Sequence, residues 1–342
     1  MLRYVAQRCL VMLPTLLAIS FIIFVVIKLP PGDYLSTLIE EHRAQGESFN
    51  LQEIERLRKE YNLDRPFLIQ YAIWIGVWPN EGGQFKGLLQ GYLGYSFEYQ
   101  RDVHEIIGDR LWLSIIVSIA TVIFTWVVAF PIGVYSATHQ YSWADHSLTF
   151  LGFLGLAVPN FLLALVLVYL ANVWFGTEIG GLMDEKYIDK PWTWAKIWSV
   201  LEHLWIPVIV IGTSGTAGMI RRLRANLLDE LQKQYVVTGR AKGLPPFRLL
   251  VKYPLRMSLN PFISDIGELL PHIISGAVIV SIVLNLPTTG KMLYEALLSL
   301  DMFLAGSFLM TLALLTVLGM LVSDLALAWL DPRIRLEGKA AK

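Results

Sequence analysis

Residues 111–135 read LWLSIIVSIATVIFTWVVAFPIGVY, 25 positions without a charged side chain. A helix needs roughly 20 such residues to cross about 30 Å of hydrocarbon. Apolar runs near Leu10–Leu29, Ser147–Trp174, Val200–Ile220, Phe262–Leu286 and Phe303–Leu330 reach that length too. In lipid the backbone amides must be satisfied internally, which leaves helices or closed barrels, and barrel strands need only about ten residues. The runs therefore predict an all-α polytopic membrane protein with six transmembrane helices. The last run would be roughly 42 Å long at 1.5 Å per residue, so it should tilt or emerge into water at one end.

Composition agrees. Of 342 residues, 55% are hydrophobic and 16% charged, and the mean hydropathy is +0.52; soluble domains usually carry about a quarter charged residues. The first run is too long for a signal-peptide core and ends at Pro30-Pro31-Gly32 without a small-x-small cleavage site, so it reads as an uncleaved anchor. Cys9 is the only cysteine, which excludes an intrachain disulfide and a thiolate metal cluster. A net charge of zero gives no sign of a nucleic-acid partner. His42, His104, His139, His146, His203 and His272 are scattered, and neither metal-ligand spacing nor a nucleophile–base pair is visible.

Charge distribution orients the spans. With a cytoplasmic N-terminus, the inner segments 1–9, 136–146, 221–261 and 331–342 hold 2, 0, 9 and 4 Lys plus Arg. The outer segments 30–110, 175–199 and 287–302 hold 8, 3 and 1; the first counts little because it is long, and it also carries 13 Asp and Glu. Both termini and the 221–261 loop are thus expected inside, on the strength of that one basic loop. Trp74, Trp78, Trp174, Trp192, Trp194, Trp198 and Trp205 fall on the outer side, where they read as an interfacial belt or a contact surface.

Three parts follow: residues 1–29 with the first span, an extracytoplasmic insert over 30–110, and a core over 111–342. Within the insert, Asn50 and Glu53 resemble a capping box, and Leu51, Ile54, Leu57 and Tyr61 fall near one helical face. Val103–Arg110 reads as a short helix leading into the second span. Gly82-Gly83 and Gly87–Gly94 mark turns.

The 221–261 loop is the most informative soluble stretch. It runs Arg221-Arg222-Leu223-Arg224, then Leu227–Leu231, then Tyr235-Val236-Val237-Thr238-Gly239-Arg240-Ala241-Lys242-Gly243-Leu244-Pro245. Residues 224–242 are mostly helix formers, with a break at Gly243 and a stop at Pro245-Pro246. A second segment, Phe247–Leu259, leads back toward Pro261. The pattern predicts a basic helix–turn–helix on the cytoplasmic face.

Tyr235–Gly243, YVVTGRAKG, resembles the cytoplasmic loop of binding-protein-dependent permeases of the ABC superfamily, in the dipeptide/oligopeptide branch. That loop usually reads DYVRTARAKG, so Gln234, Val237 and Gly239 depart from it, and glycine at 239 adds backbone freedom to the helix. Other matches are Tyr4 with Arg8, Pro30-Pro31-Gly32-Asp33, Leu63-Asp64-Arg65-Pro66 with Gln70-Tyr71, and Leu93-Gly94-Tyr95-Ser96. Pro159 with Phe161, Arg256 through Pro261, and Leu330-Asp331-Pro332-Arg333-Ile334-Arg335 follow in the same order. Leu286-Pro287-Thr288-Thr289-Gly290 and Leu300-Asp301-Met302-Phe303 stand where the family often has Pro-Gly-x-Gly and Arg-Asp-Tyr-Pro. Both departures lie on the outer side and bear on substrate rather than on ATPase coupling.

The resemblance implies a multi-pass permease of a bacterial inner membrane that imports a peptide-like solute by alternating access. It implies a homologous second permease, two cytoplasmic ATPases that bind ATP and Mg, and a periplasmic or lipid-anchored binding protein. This chain would carry no cofactor and no catalytic residue. Thr288-Thr289-Gly290-Lys291-Met292 lacks the upstream glycine and the Ser/Thr after lysine of a phosphate loop. Tyr235, Val236, Thr238, Gly239, Arg240, Ala241, Lys242, Gly243 and Leu244 would seat on the ATPase. A side chain on Gly243, as in Gly243→Asp, is expected to uncouple the machine by obstructing the turn. The substrate stays open among peptide, oligosaccharide, opine-like compounds and nickel.

Polar groups at membrane depth are expensive and mark pathways or gates. Asp265, Glu268 and His272 share one side of the fifth run, with Pro271 positioned to bend it. Asp324, Asn160, Ser214 and Asn285 join them as candidate pathway residues. The alternative for Asp265 and Glu268 is pairing with basic loop residues such as Arg256. Gly212, Gly215 and Gly218 are equally suited to close helix packing. An ion-coupled transporter would more often show paired repeats with broken helices and would not need the basic loop. A membrane-embedded enzyme would need a catalytic constellation that is absent from the sequence.

Overall fold

The computed structural model describes residues 2–30, 32, 34–36, 39, 55, 56, 58, 59, 62–176, 181–187, 191–265, 272 and 277–330. The Asn50–Glu53 capping pattern, Glu268, Pro271 and the terminal Asp331–Arg335 motif lie outside the described residues. The chain divides into two compact units, Met1–Trp112 with Thr288–Val317, and Leu113–Pro287 with Leu318–Lys342.

The described residues are mostly helical. In chain order the helices are α1 (Leu2–Lys28), α2 (Phe67–Ile75), α3 (Val103–Thr138), α4 (Trp143–Ala157), α5 (Asn160–Phe175) and α6 (Trp194–Leu231). They continue as α7 (Gln234–Ala241), α8 (Pro246–Lys252), α9 (Pro254–Ser258), α10 (Asn260–Ser264), α11 (Val278–Val283), α12 (Thr289–Leu298) and α13 (Met302–Leu330). One small antiparallel hairpin pairs β1 (Tyr95–Ser96) with β2 (Arg101–Asp102).

Among the described residues, four helices are long and apolar enough to cross a membrane: Leu10–Lys28 of α1, all of α3 and α6, and Met302–Ala326 of α13. The protein is thus a multi-helix membrane chain. Two expectations change. The run Ser147–Trp174 is not one helix, because Pro159 (ψ 134°) stops α4 and starts α5, helices of 15 and 16 residues. Proline lacks the amide that would continue the ladder and pushes its predecessor out of the α region. Val103–Arg110, expected as a separate short helix, is continuous with the second span. Together they make 36 residues, roughly 54 Å at 1.5 Å per residue.

In the first unit, α2 packs on α1 through aromatic rings. Phe24 lies 5.1 Å from Phe67, 5.4 Å from Tyr71 and 5.6 Å from Trp74, and Ser20 shares a 2.8 Å hydrogen bond with the Tyr71 hydroxyl. Trp74 is therefore a buried anchor, whereas Trp78, Trp174, Trp192, Trp194 and Trp198 are exposed.

Among the described residues, the second unit has two apolar clusters. Val117, Ala164, Ala171, Ile206, Val210, Leu284 and Leu286 join α3, α5, α6 and the α11 region. Ala129, Met219, Ile220, Leu223 and Phe262 form the other. Small residues let α6 approach closely: a Cβ on Gly212 would stand 2.5 Å from the Phe124 ring, and one on Gly215 3.4 Å from Thr125. Gly218 faces open space instead.

Candidate functional site

The basic loop starts on α6. That helix runs 38 residues and carries Arg221, Arg222 and Arg224 on its last turns. Expected to be helical through 224–242, the loop instead breaks at Gln232–Lys233, where Lys233 turns extended (ψ 148°), and restarts as α7. No glycine or proline marks this break. It turns α7 so that Val236 and Gly239 face inward while Tyr235, Val237, Thr238, Arg240, Ala241 and Lys242 stay exposed.

Gly239 has a packing reason. A Cβ there would lie 2.5 Å from Leu249 Cδ1 and 3.6 Å from Leu244 Cδ1, so the α8 leucine occupies the space that a larger residue would take. Backbone freedom at 239 does not interrupt α7. Gly243 follows at φ +73°, with its N–H donating to the Arg240 carbonyl at 2.9 Å. No heavy atom lies within 4 Å of where its Cβ would be. The left-handed turn is one that glycine allows, and within this chain a substitution there would strain the backbone rather than collide.

Pro245 then caps α8, and Tyr253 joins α8 to α9 with Pro254 at its first position. Val236, Leu249, Pro254 and Ser258 are buried. The outer surface combines Arg240 and Lys242 with Val237, Val251 and Phe247, the last 77% exposed.

Two ion pairs brace the base of this loop. Arg222 Nη1 donates to Asp265 Oδ2 at 2.6 Å, and its guanidinium lies 5.1 Å from the Phe262 ring centre. Asp265 thus pairs with a basic residue of the 221–261 loop, as expected, and that residue is Arg222. Arg224 donates twice to Asp145, near the start of α4, at 2.9 and 3.1 Å. That carboxylate is only 1% exposed and also accepts from the Tyr141 amide at 3.0 Å and the Thr149 hydroxyl at 3.4 Å. The Arg224 hydrogen bonds hold Asp145 below the usual carboxylate range, against the opposing effect of burial. Ser142, whose hydroxyl receives the Asp145 amide, makes Ser142-Trp143-Ala144-Asp145 a capping-box pattern, a signal legible in the sequence.

Asn160 opens α5 and is half-buried; the Ser214 hydroxyl donates to the Ile211 carbonyl of its own helix at 3.4 Å. Asn285 is exposed at φ +51°, and Asp324 is half-buried on α13.

In the other unit, sequence reasoning missed a clamp. Asp301 is fully buried and precedes α13, where it accepts from the Ser96 hydroxyl at 2.5 Å, the Glu98 amide at 3.3 Å and the Leu304 amide at 3.1 Å. Ser307 donates to the Leu93 carbonyl. Leu93-Gly94-Tyr95-Ser96 and Leu300-Asp301-Met302-Phe303, two separate motifs in the sequence, therefore dock on each other. Burial pushes the Asp301 carboxyl up, and the hydrogen bonds only partly offset it. Beside them the Tyr99 hydroxyl donates to Glu295 at 2.5 Å, and burial followed by that bond raises its pKa.

The family of binding-protein-dependent transport system inner membrane components matches residues 129–336, and its N-terminal membrane component matches 1–120. The oligopeptide transport system permease protein AppB of Bacillus subtilis is 32% identical over 338 residues, covering 98% of this chain and 99% of its own. The di/tripeptide permease DppB of Pseudomonas aeruginosa is 29% identical and the dipeptide permease DppB of Escherichia coli 27%, each covering 98% of this chain and 99% of its own. This chain belongs to the family of inner-membrane components of binding-protein-dependent ABC importers, and it is a multi-pass transport component rather than an enzyme.

Proposed function

We propose that this chain forms half of the translocation pathway of an ATP-driven importer for short peptides. The cargo is carried over from relatives named for oligopeptides, dipeptides and di/tripeptides. In this reading six helices span a bacterial inner membrane, both termini lie in the cytoplasm, and residues 30–110 face outward toward a binding protein. The four long apolar helices and the Lys/Arg bias support it. A second permease completes the pathway, and two partner chains supply ATP hydrolysis with Mg.

One observation carries the coupling role. The 234–258 segment packs Val236, Gly239 and Leu249 inward and leaves a basic and apolar face, Arg240, Lys242 and Phe247, outward. Such a face suits an acidic, partly apolar cleft: the cations steer and the ring anchors. The Arg222–Asp265 and Arg224–Asp145 pairs would let α6 transmit displacement of this face toward the spans. The test is co-purification of the chain with its ATPases and of an Arg240→Glu/Lys242→Glu variant. The reading expects the wild type to retain both ATPases and the variant to lose them; equal retention would sink the docking assignment.

A further inference from the structure

The unit built from Met1–Trp112 and Thr288–Val317 contains a cavity of about 410 Å³. That lies within the usual 300–1,000 Å³ range of small-molecule sites. Its frame is fixed by backbone contact. Gln90 accepts from the Gly87 amide and donates to the Gly76 carbonyl, both at 3.0 Å, and a Cβ on Gly87 would fall 2.4 Å from the Gly76 nitrogen. On another side, a Cβ on Gly94 would fall 2.7 Å from the Phe303 ring. The walls are thus set before any ligand arrives.

The lining is rich in donors. Trp74 borders the cavity, is only 6% exposed, and its indole N–H has no hydrogen-bond partner among the described residues. Leaving such a group unsatisfied is costly, and nature usually provides it with a partner. The Lys86 ammonium lies 4.0 Å above the Tyr92 ring and makes no ion pair among the described residues. Asn80 already accepts the Gln84 amide through its side-chain oxygen at 2.9 Å, which leaves its NH2 to donate. No carboxylate stands among the described lining residues, and the rings of Trp74, Tyr92, Tyr95 and Phe303 supply apolar surface.

We propose that this cavity binds a small solute presenting a carboxylate next to an apolar group, the chemistry of the C-terminal end of a short peptide. Lys86 and Asn80 take the carboxylate, the Trp74 N–H takes a neighbouring acceptor, and the rings hold the apolar part. The choice of a peptide over an acidic sugar rests on the proposed cargo; the donor-rich, ring-lined cavity itself does not.

The test uses the full chain in lipid nanodiscs, without binding protein, and equilibrium dialysis of labelled Gly-Phe, Gly-Phe amide and gluconate. Gly-Phe should bind saturably at one site per chain. Replacing its carboxylate by the amide, or Lys86 by Gln, should weaken binding about tenfold, as expected for loss of a charge-assisted contact. Trp74→Phe keeps the ring and should weaken binding severalfold. Lys86 is exposed, so Lys86→Gln keeps the fold, which an unchanged thermal midpoint verifies. Equal binding of acid and amide, no saturable binding, or indifference to Lys86→Gln would overturn the site. Tighter binding of gluconate than of Gly-Phe would overturn its apolar half. Gly-Phe uptake by the assembled importer is scored separately: uptake without binding overturns the site alone, whereas binding without uptake overturns the cargo and leaves the site.

Discussion

Arg224 holds Asp145 through two parallel hydrogen bonds across 79 residues of sequence, joining the end of α6 to the start of α4. Asp145 is nearly inaccessible and Arg224 about a quarter exposed, so the pair is more than a surface contact. Asp145→Asn removes the charge but keeps the shape, and should cost about 1–3 kcal/mol at neutral pH. A depressed carboxyl contributes stability above its unfolded value, about 4, and loses it as pH falls through the lower folded value. Melting curves of wild type and variant should therefore differ at pH 7 and converge in strong acid. A gap that persists unchanged in acid would show the ionised pair to be irrelevant.

At Gly239 the packing gives a graded outcome. Gly239→Ala pushes only on the flexible end of Leu249 and gains helix propensity, so its net effect should stay within about 1 kcal/mol. Gly239→Val should loosen the loop, and Leu249→Ala should partly rescue it by vacating the space. Proteolysis rates of the 234–258 segment measure this. If Val is tolerated without the rescue, the contact does not position α7.

The Gly243 turn should depend on backbone conformation rather than volume. Gly243→Asn, which tolerates the left-handed region, should melt within about 1 kcal/mol of wild type, whereas Gly243→Val should cost roughly 1–3 kcal/mol. Equal cost for the two would argue for a collision after all.

Asp301 gives the opposite pH sign from Asp145. Its carboxyl is raised by burial, so the charged form is the disfavoured one, and its contribution weakens as pH rises through the folded value. The melting difference between wild type and Asp301→Asn should move in favour of wild type as pH is lowered from neutral toward the ordinary carboxylate value. Ser96→Ala, which takes away a donor from a buried carboxylate, should cost about 1–3 kcal/mol at pH 7. A pH-independent difference would contradict the desolvation argument.

The long apolar runs gave away α1, α3, α6 and α13 because lipid-scale helices need sustained hydrophobicity, a signal that survives without tertiary information. Boundaries set by packing were less visible. Pro159 ends a helix while Pro14, Pro131 and Pro207 continue theirs, and local sequence does not separate these cases. The α6–α7 break at Lys233 exists to turn Val236 and Gly239 inward, a reason that appears only once Leu249 is in place. The Ser96–Asp301 clamp joins residues 205 apart, so each motif was readable but their meeting was not. Gly239 looked like a departure that loosened the helix, and the structure gives it a fitted neighbour.

The central claim is that the outward face of 234–258 couples ATP turnover to transport. Its most direct measurement is peptide uptake together with substrate-stimulated ATP hydrolysis in proteoliposomes of the full importer, comparing wild type with Arg240→Glu/Lys242→Glu. The account predicts that uptake and stimulated hydrolysis both fall at least about tenfold, as expected when charged contacts reverse sign, while the thermal midpoint of the permease stays unchanged. Wild-type uptake and wild-type stimulation in the double variant would contradict it.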